Sequence, residues 1–224
     1  MDSRIIPVSL FLLLVIFVPN SFASSQNSTL DSQGNYANPS LGIAFQAPDG
    51  WTVQEPNKSQ PNAPDIAVIA PYSNGLTSSI SFIVENTNGT SLDDYVKNKI
   101  NQLASANQSS NIALLSEQDG TVDGIAAKIS LLQENFTSQN SSNVIKFKQV
   151  IVLANDEFYT ITYASEEKNF DSDLSSYDQL LSSIKFVNND TSSWLDYLSI
   201  GIVAGALIVG LVMIKRKRKS LQKN

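Results

Sequence analysis

The sequence contains no cysteine and no histidine. Without cysteine, the protein forms no disulfide and offers no thiolate nucleophile or thiolate metal ligand. Without histidine, it lacks the usual general base of serine and cysteine hydrolases and the commonest zinc ligand. These absences argue against nucleophilic and zinc chemistry, so they favour a function that is not enzymatic and needs no cofactor.

Basic residues are scarce over most of the chain. Between Ser24 and Asp196 there are 20 Asp and Glu residues against 8 Lys and Arg residues, a net charge of −12. Six further basic residues follow Asp196. Because nucleic-acid binding needs a basic surface, this composition argues against a nucleic-acid partner.

Charge is absent from one stretch near the C-terminus. No charged residue occurs from Tyr197 to Ile214, and five basic residues, 215–219, follow without a break. In a helix these 18 residues span about 27 Å, close to the hydrocarbon thickness of a bilayer. We predict a transmembrane helix over 195–214 and, by the positive-inside rule, a basic cytoplasmic tail over 215–224.

Two glycines in this stretch form a candidate helix–helix contact. Gly201 and Gly205 have the G-x-x-x-G spacing, which lets two membrane helices approach closely. They are therefore a candidate face for a homodimer through the transmembrane helix. Because glycine is common in membrane helices, the spacing also occurs without dimerisation.

Residues 1–23 have the composition of a cleaved secretory signal peptide. Arg4 precedes a short apolar run, Pro19 ends that run, and small residues near Ala23 offer a cleavage site. The alternative, a second membrane helix, requires a longer apolar run. The two ends together predict a single-pass protein integral to the cell membrane, with its N-terminal domain outside and its C-terminal tail in the cytoplasm.

The chain between these ends supports one domain. Residues 24–35 are rich in Ser, Asn and Gln, which predicts a disordered leader. Residues 36–187 alternate between apolar patterns and turn signals and form the predicted extracellular domain. Residues 188–194 are left as a short linker to the membrane.

The apolar patterns predict an α+β fold, an antiparallel β-sheet flanked by helices. Alternation over Leu41–Ala47 predicts a strand, Pro48–Gly50 a turn, and Trp51 the start of the returning strand. Ser91 is a candidate N-cap for a first helix, and Asp171–Ser183 has the spacing of a second.

A meander of long strands is predicted between the two helices. The sequence places one tight turn at Gln118–Gly120 and another at Asn155–Glu157. The consecutive apolar residues Val150–Leu153 predict a central strand that is covered on both faces.

This pattern over Tyr36–Val187 resembles the PsbP-like fold family. The resemblance rests on the segments LGIAFQAPDGW, SLDDYVKNKINQL, IKFKQVIVLANDEFYTITYAS and LLSSIKF, together with the hairpin around Asp119-Gly120. It implies a sheet flanked by helices in a protein that works by binding. The photosynthetic role of the family's best-known member is not implied, because the histidines of that subunit have no counterpart here. Sequon density and the absence of cysteine suit an archaeal cell surface.

Two groups of acidic residues are candidates for chemistry. Asn169, Asp171 and Asp173 have the first spacings of a calcium-binding loop, but the glycine and the glutamate that such a loop requires are missing. These acids are better explained by a helix N-terminus, where the helix dipole favours negative charge. Glu166 and Glu167 form a carboxylate pair, which a glycoside hydrolase would use only across a cleft.

Seven Asn-x-Ser/Thr sequons mark candidate glycosylation sites, as expected on an exported surface. They begin at Asn27, Asn57, Asn88, Asn107, Asn135, Asn140 and Asn189.

These observations favour a membrane-anchored extracellular binding or assembly module without catalytic activity. Its expected partner is a protein in or beside the same membrane, because the linker holds the domain close to the bilayer. One alternative is a carrier or sensor that binds an apolar small molecule or lipid between helix and sheet, which requires an apolar pocket. The other is a carboxylate-based hydrolase.

Overall fold

The computed structural model describes residues 28–56, 63–71, 76–106, 112–138 and 141–187. The fold is α+β, with antiparallel sheets and two helices, as the sequence predicted. In chain order its elements are β1 (Thr29–Leu30), β2 (Asn35–Asn38), a 3-10 helix (Pro39–Leu41), β3 (Ile43–Gln46), β4 (Thr52–Gln54), β5 (Ile66–Ile69), β6 (Ser79–Asn86), α1 (Leu92–Ala106), β7 (Ile112–Val122), β8 (Ile125–Ser138), β9 (Ser141–Ala154), β10 (Glu157–Glu166), α2 (Glu167–Ser183) and β11 (Lys185–Phe186).

The strands form two sheets, whereas the sequence predicted one. The smaller has the order β1-β2-β3-β11, and the larger has the order β4-β5-β6-β10-β9-β8-β7. The strand after Trp51 does not return along β3, as predicted, but pairs with β5 in the larger sheet. The turn at Gly50, where φ is 79°, therefore carries the chain from one sheet to the other.

β9 lies near the middle of the larger sheet, between β8 and β10. Val150, Ile151 and Val152 are each at most 2% exposed, which confirms the prediction of a strand covered on both faces at these positions. Successive side chains of a strand point to opposite faces, so such a run is stable only between two packed layers.

The main core lies on the face of the larger sheet that carries Phe82 and Ile161. Helix α2 covers this face with Phe170, Tyr177 and Leu180, all of them buried. The smaller sheet contributes further apolar side chains, among them Tyr36, Ile43 and Phe45.

Helix α1 packs with a separate apolar cluster, in which Val96 is buried with Phe158 and Ile151. The ring of Tyr95 stacks on Phe158, with 3.9 Å between centroids. The predicted cap is confirmed, because Ser91 Oγ accepts from the Asp94 amide and donates to its carboxylate. Ser91 therefore satisfies one of the free amides in the first turn of the helix, and its hydroxyl is held by the Asp94 carboxylate.

Helix α2 begins at Glu167, four residues before the predicted start at Asp171. Phe170 explains the difference, because it is buried in the first turn against Tyr163, with ring centroids 5.1 Å apart. The acidic residues indicate a first turn at Asp171, but the helix begins earlier because Phe170 is buried in its first turn.

The hairpin turn between β7 and β8 lies at Asp123-Gly124, not at the predicted Gln118–Gly120. Asp123 and Gly124 have φ of 51° and 75°, so both are left-handed, as a two-residue type I′ turn requires. Gly120 instead lies inside β7, opposite Ala127. The turn is also tied to β11, because Asp123 accepts from Lys185 Nζ at 2.5 Å.

We expect Gly124→Ala to lower the free energy of unfolding by about 1–2 kcal/mol, the cost of a left-handed backbone for a residue with a side chain. Nothing lies within 4 Å of a Cβ added at Gly124, so the cost is one of backbone conformation alone. The matched control is Gln118→Ala in the exposed part of β7, where we expect a change within about 0.5 kcal/mol. Urea denaturation of the full chain in detergent micelles measures both. The reverse order of effects would place the turn at the predicted position.

The predicted disordered leader, 24–35, is ordered in its described part. Thr29 and Leu30 form β1, which pairs with Ala37 and Tyr36. Asp31 closes the connecting turn by accepting from the amides of Gln33 and Asn35 at 2.8 and 2.9 Å. The polar residues that favour disorder in the sequence instead include Asp31, the side-chain acceptor of a turn.

The predicted signal peptide 1–23, linker 188–194, transmembrane helix 195–214 and tail 215–224 lie outside the described residues. Among the residues that the structure does describe, no helix has both the length and the apolar character needed to cross a membrane.

Candidate interaction surface

Strand β7 forms one edge of the larger sheet and is unusually exposed. Seven consecutive residues, Ala113–Asp119, are exposed. Leu114 and Leu115 are 44% and 48% exposed, and Leu30 is the one other large hydrophobic side chain exposed in the described part of the chain. Single exposed apolar residues are ordinary, but two neighbouring leucines on an open edge strand form a candidate contact site.

A β-bulge lies at the leucine pair. The register along β8 shifts between Leu114 and Ser116, so that Leu115 is the extra residue of β7. A bulge twists an edge strand and re-aims its side chains. Here it leaves both leucines exposed.

Beyond the bulge, the outer side of the β7 backbone faces no other strand among the described residues. Val122 and Ile125 flank the two-residue turn and therefore form a hydrogen-bonded pair. From there, non-hydrogen-bonded and hydrogen-bonded pairs alternate along the hairpin. Gly120 and Gln118 therefore direct their N–H and C=O groups toward β8. Asp119 and Glu117 direct theirs outward, to the side where the sheet order has no further described strand.

A cleft of about 270 Å³ lies beside this edge, between α1 and the β7–β8 hairpin. Most of its lining side chains are charged or polar. It is lined by Asp93, Val96, Lys97, Ile100, Asn101, Glu117 and Lys128. We call the cleft together with the exposed run Ala113–Asp119 the α1–β7 surface.

Lys128 holds α1 to the hairpin. Its ammonium lies 3.1 Å from the Asp93 carboxylate of α1 and 2.7 Å from the Asp119 carboxylate of β7. Hydrogen bonds to Asp119 and Asp93 raise the pKa of Lys128 well above its ordinary value, so the bridge stays charged. Farther along α1, Glu85 of β6 accepts from Tyr95 and, at 3.0 Å, from Lys99.

Two other charges of the cleft have no ion-pair partner among the described residues. Glu117 lies on β7 and Lys97 on α1, and both side chains are exposed. The six remaining described lysines all form ion pairs with carboxylates. The cleft therefore presents one uncommitted charge of each sign, which suits a charged partner better than an apolar one. This lining does not favour the alternative of a lipid or apolar small molecule at this place.

The structure places two of the predicted sequons on the surface. Asn88 is exposed in the turn before α1, where φ is 46°, and Asn135 is exposed on β8. Their glycosylation stays a prediction. The other sequon residues and the candidate helix-dimer glycines lie outside the described residues: Asn27, Asn57, Asn107, Asn140, Asn189, Gly201 and Gly205.

The predicted carboxylate pair does not face a common cleft. Glu166 is buried and pairs with Lys168 at 2.5 Å, whereas Glu167 is exposed and pairs with Lys146 at 3.0 Å. The Lys168 ammonium lowers the pKa of Glu166, and the Leu76 amide, which donates to its carboxylate, lowers it further. Each acid is thus neutralised by its own lysine, which does not support a hydrolase.

Asn169, Asp171 and Asp173, which have the first spacings of a calcium-binding loop, do not form a metal site among the described residues. Asp173 accepts from Ser78 Oγ at 2.6 Å, and Ser78 also hydrogen-bonds Ser165 at 2.8 Å. This arrangement joins α2 to the start of β6, a structural role. Among the residues with described positions, no three acidic side chains are grouped as metal ligands would be.

The α1–β7 surface was not among the predicted sites. A usable signal is present, because the run from Ser116 to Thr121 has no apolar residue while Leu114 and Leu115 are adjacent. A strand with no apolar alternation has no face to bury, and this is typical of an edge.

Comparison with known proteins agrees with this architecture. The family described as PsbP-like protein matches residues 18–186 of the chain. Among solved structures, the cyanobacterial PsbP (CyanoP) from Synechocystis sp. PCC 6803 is 15% identical with a TM-score of 0.50, over 75% of this chain and 98% of that one.

Weaker similarities connect the chain to two further structures. The Saccharomyces cerevisiae Ran-binding protein Mog1p is 12% identical with a TM-score of 0.44, over 75% of this chain and 97% of its own. LpqN, involved in cell envelope biogenesis of Mycobacterium tuberculosis, is 11% identical with a TM-score of 0.43, over 71% and 88%. No curated protein matches the chain. The likeness to CyanoP shows the fold alone, whereas the family match extends over more than half of the sequence, and the chain therefore belongs to the PsbP-like protein family.

Proposed function

We propose that this protein is a membrane-anchored binding module, displayed outside the cell, that recognises another protein through the α1–β7 surface. The observation that carries the proposal is the open edge strand β7, with seven consecutive exposed residues that include Leu114 and Leu115. Natural sheets usually cover, shorten, charge or bulge such an edge, because it otherwise pairs with other chains. β7 keeps a length of 11 residues and an exposed leucine pair despite its bulge and its two acids.

The surface has the parts that a protein interface needs. The adjacent leucines supply an apolar centre, and the charged cleft beside them supplies a polar rim. Lys128 bridges its two sides through Asp93 and Asp119, and Val96 of α1 packs into the apolar cluster with Ile151 and Phe158. A surface that is already positioned loses little conformational freedom when a partner binds.

The proposal includes no catalysis and no cofactor. Supporting this, the sequence lacks the residues of the commonest nucleophile–base pairs, and the Glu166–Glu167 pair is neutralised by separate lysines. The cleft contains Glu117 and Lys97, but nothing in its lining activates a nucleophile.

The location outside the membrane rests on the sequence. A signal peptide over 1–23, a membrane helix over 195–214 and a basic tail over 215–224 give a single-pass topology with the domain outside. The linker 188–194 reaches at most about 25 Å. A domain held that close to the bilayer meets partners in or beside the same membrane, and this is where we place the partner.

Site-specific photocrosslinking tests the proposal. A photoreactive amino acid is placed at Leu115 on β7 or, as the matched control, at Gln179, an exposed position on α2. In intact cells of the source organism we expect a discrete protein adduct from position 115 and none from position 179. The absence of an adduct at 115, or the same adducts from both positions, would overturn the proposal.

A further inference from the structure

We propose that the partner binds by strand addition, with an extended segment of the partner pairing along β7 as the next strand of the larger sheet. The segment carries a basic side chain facing Glu117 and an apolar side chain against Leu114 and Leu115. This inference rests on the proposed function, and it names the mode of binding and the chemistry of the segment.

The backbone of β7 supplies the first part of the argument. Glu117 and Asp119 direct their N–H and C=O groups away from β8, and β7 is the last described strand of its sheet. An added strand satisfies these groups with the same hydrogen bonds that join the other strands. The exposed run of seven residues is longer than the commonest strand length of about five to six residues, so a partner strand of ordinary length can pair along it.

The usual protections of an edge strand are weak here. β7 contains no proline and no lysine, and its bulge at Leu115 leaves the stretch from Ser116 to Val122 in regular register with β8. Short length, proline, charged side chains and bulges are the alternative devices that keep an edge strand from pairing. β7 has one bulge and the acids Glu117 and Asp119, but neither proline nor short length. At 11 residues, β7 is long enough to hold a partner strand.

The side chains of β7 select the chemistry of the segment. Asp119 is already paired with Lys128, whereas Glu117 has no ion-pair partner among the residues that the structure describes. A Lys or Arg opposite Glu117 would complete a cross-strand ion pair, which contributes about 0.2–1 kcal/mol. Leu114 and Leu115 would be covered by an apolar residue farther along the segment.

A second copy of this chain fits the same edge poorly. Its own β7 carries Glu117 and Asp119 and no base, so two β7 strands paired around Glu117 would oppose like charges. The exported part of each copy also carries a net charge of −12 from 20 acidic and 8 basic residues. A basic, extended segment of another protein places no acidic residue opposite Glu117 and is attracted to the net negative charge of this chain.

The test uses a fluorescent, end-capped peptide that carries lysine at the position facing Glu117 and valine at the positions facing Leu114 and Leu115, added to the full chain in lipid nanodiscs. Two matched peptides serve as controls: one has glutamate in place of lysine, and the other is methylated at alternate backbone nitrogens. We expect saturable binding, by fluorescence anisotropy, of the lysine peptide alone. Methylation removes backbone donors but keeps the side chains, so it separates strand pairing from simple charge attraction.

Protein variants and hydrogen exchange locate the contact. Glu117→Ala keeps the amide and should weaken binding about fivefold through the lost ion pair, whereas Glu117→Pro also removes the amide and should weaken it about tenfold further. In the unaltered protein, the amides of Glu117 and Asp119 should become protected from exchange when the peptide binds. Gln118 and Gly120 should be protected with or without it.

Each contrary result identifies what has failed. Equal binding of the methylated peptide, or protection at Glu117 and Asp119 that does not change, would overturn strand addition. No binding of the lysine peptide, or self-association of the chain through β7, would overturn the assigned partner chemistry. Neither result affects the protein adduct expected in the photocrosslinking experiment at position 115. Strand addition can therefore fail while the proposed function stands.

Discussion

Phe82→Ala should lower the free energy of unfolding by about 3–5 kcal/mol, the range for removing a buried aromatic side chain. Phe82 is 1% exposed and lies in β6 between Ile66 of β5 and Ile161 of β10. Its ring stacks on Phe45 of the smaller sheet, with centroids 4.9 Å apart and planes at 8°. The substitution therefore leaves a cavity at the place where the two sheets meet.

Leu114→Ala is the matched control for this prediction. Leu114 is 44% exposed, so its truncation should change stability by no more than about 0.5 kcal/mol. Urea denaturation of the full chain in detergent micelles, followed by tryptophan fluorescence, measures both variants. A loss below about 1 kcal/mol for Phe82→Ala would mean that the sheets do not share a core through this ring.

Elements whose signals are local could be predicted from the sequence. Ser91 caps α1 through its hydrogen bonds with Asp94, three residues away. The apolar face of α1 follows from the helical spacing of its residues alone. The turn at Asn155-Asp156, with φ of 51° and 59°, has the residue types that tolerate a left-handed backbone. The run Val150–Ile151–Val152 indicated burial on both faces because no polar alternation interrupts it.

Features that depend on distant pairing could not be predicted. The sequence contains the dipeptide Asp-Gly at both Asp119 and Asp123, and both suit a hairpin turn. What selects Asp123-Gly124 is the register with β8 and the bonds from Asp123 to Lys185 and Phe186, which lie 62 and 63 residues away. The division into two sheets is likewise set by distant pairing, because β4, which follows Trp51, pairs with β5 and not with β3.

The α1–β7 surface depends on distant pairing as well, although the polar run from Ser116 to Thr121 by itself indicates an edge strand. Exposure of Leu114 and Leu115 follows from the position of β7 at a sheet edge, which is a property of the whole strand order. The pairing of Lys128 with Asp93 and Asp119 also joins residues from a helix and two strands. By contrast, Asn88 and Asn135 were identified from three-residue motifs, and the structure shows both exposed.

The second large effect concerns the buried carboxyl group of Glu134. Glu134 is 4% exposed on β8, opposite Ile112 of β7 and Ile145 of β9. Its Oε2 atom has no hydrogen-bond partner among the described residues. Burial raises the pKa of Glu134 above its ordinary value of 4.5, because the apolar surroundings disfavour the charged form.

The sign of the pH dependence follows from this shift. The folded state holds the Glu134 proton to a higher pH than the unfolded state, so folding is favoured below pH 4.5 relative to higher pH. The free energy of unfolding should therefore fall as the pH rises from 4.5 through the raised pKa of the folded protein. Above that range the full cost of a buried, ionised carboxyl group is present.

Glu134→Gln should consequently stabilise the protein at pH 8 by about 1–3 kcal/mol and have little effect at pH 4. Glu134→Met should add to the gain at pH 8, because the side chain then fits the apolar cluster with Leu132 and Phe147. The control is Glu117→Gln, which removes an exposed carboxyl group and should change stability at pH 8 by no more than about 0.5 kcal/mol. Denaturation curves between pH 4 and 8 provide the measurement. A parallel profile for Glu134→Gln and the unaltered protein would show that Glu134 is hydrated or paired in the folded state, and the open edge of β7 beside it would then admit water to this end of the sheet.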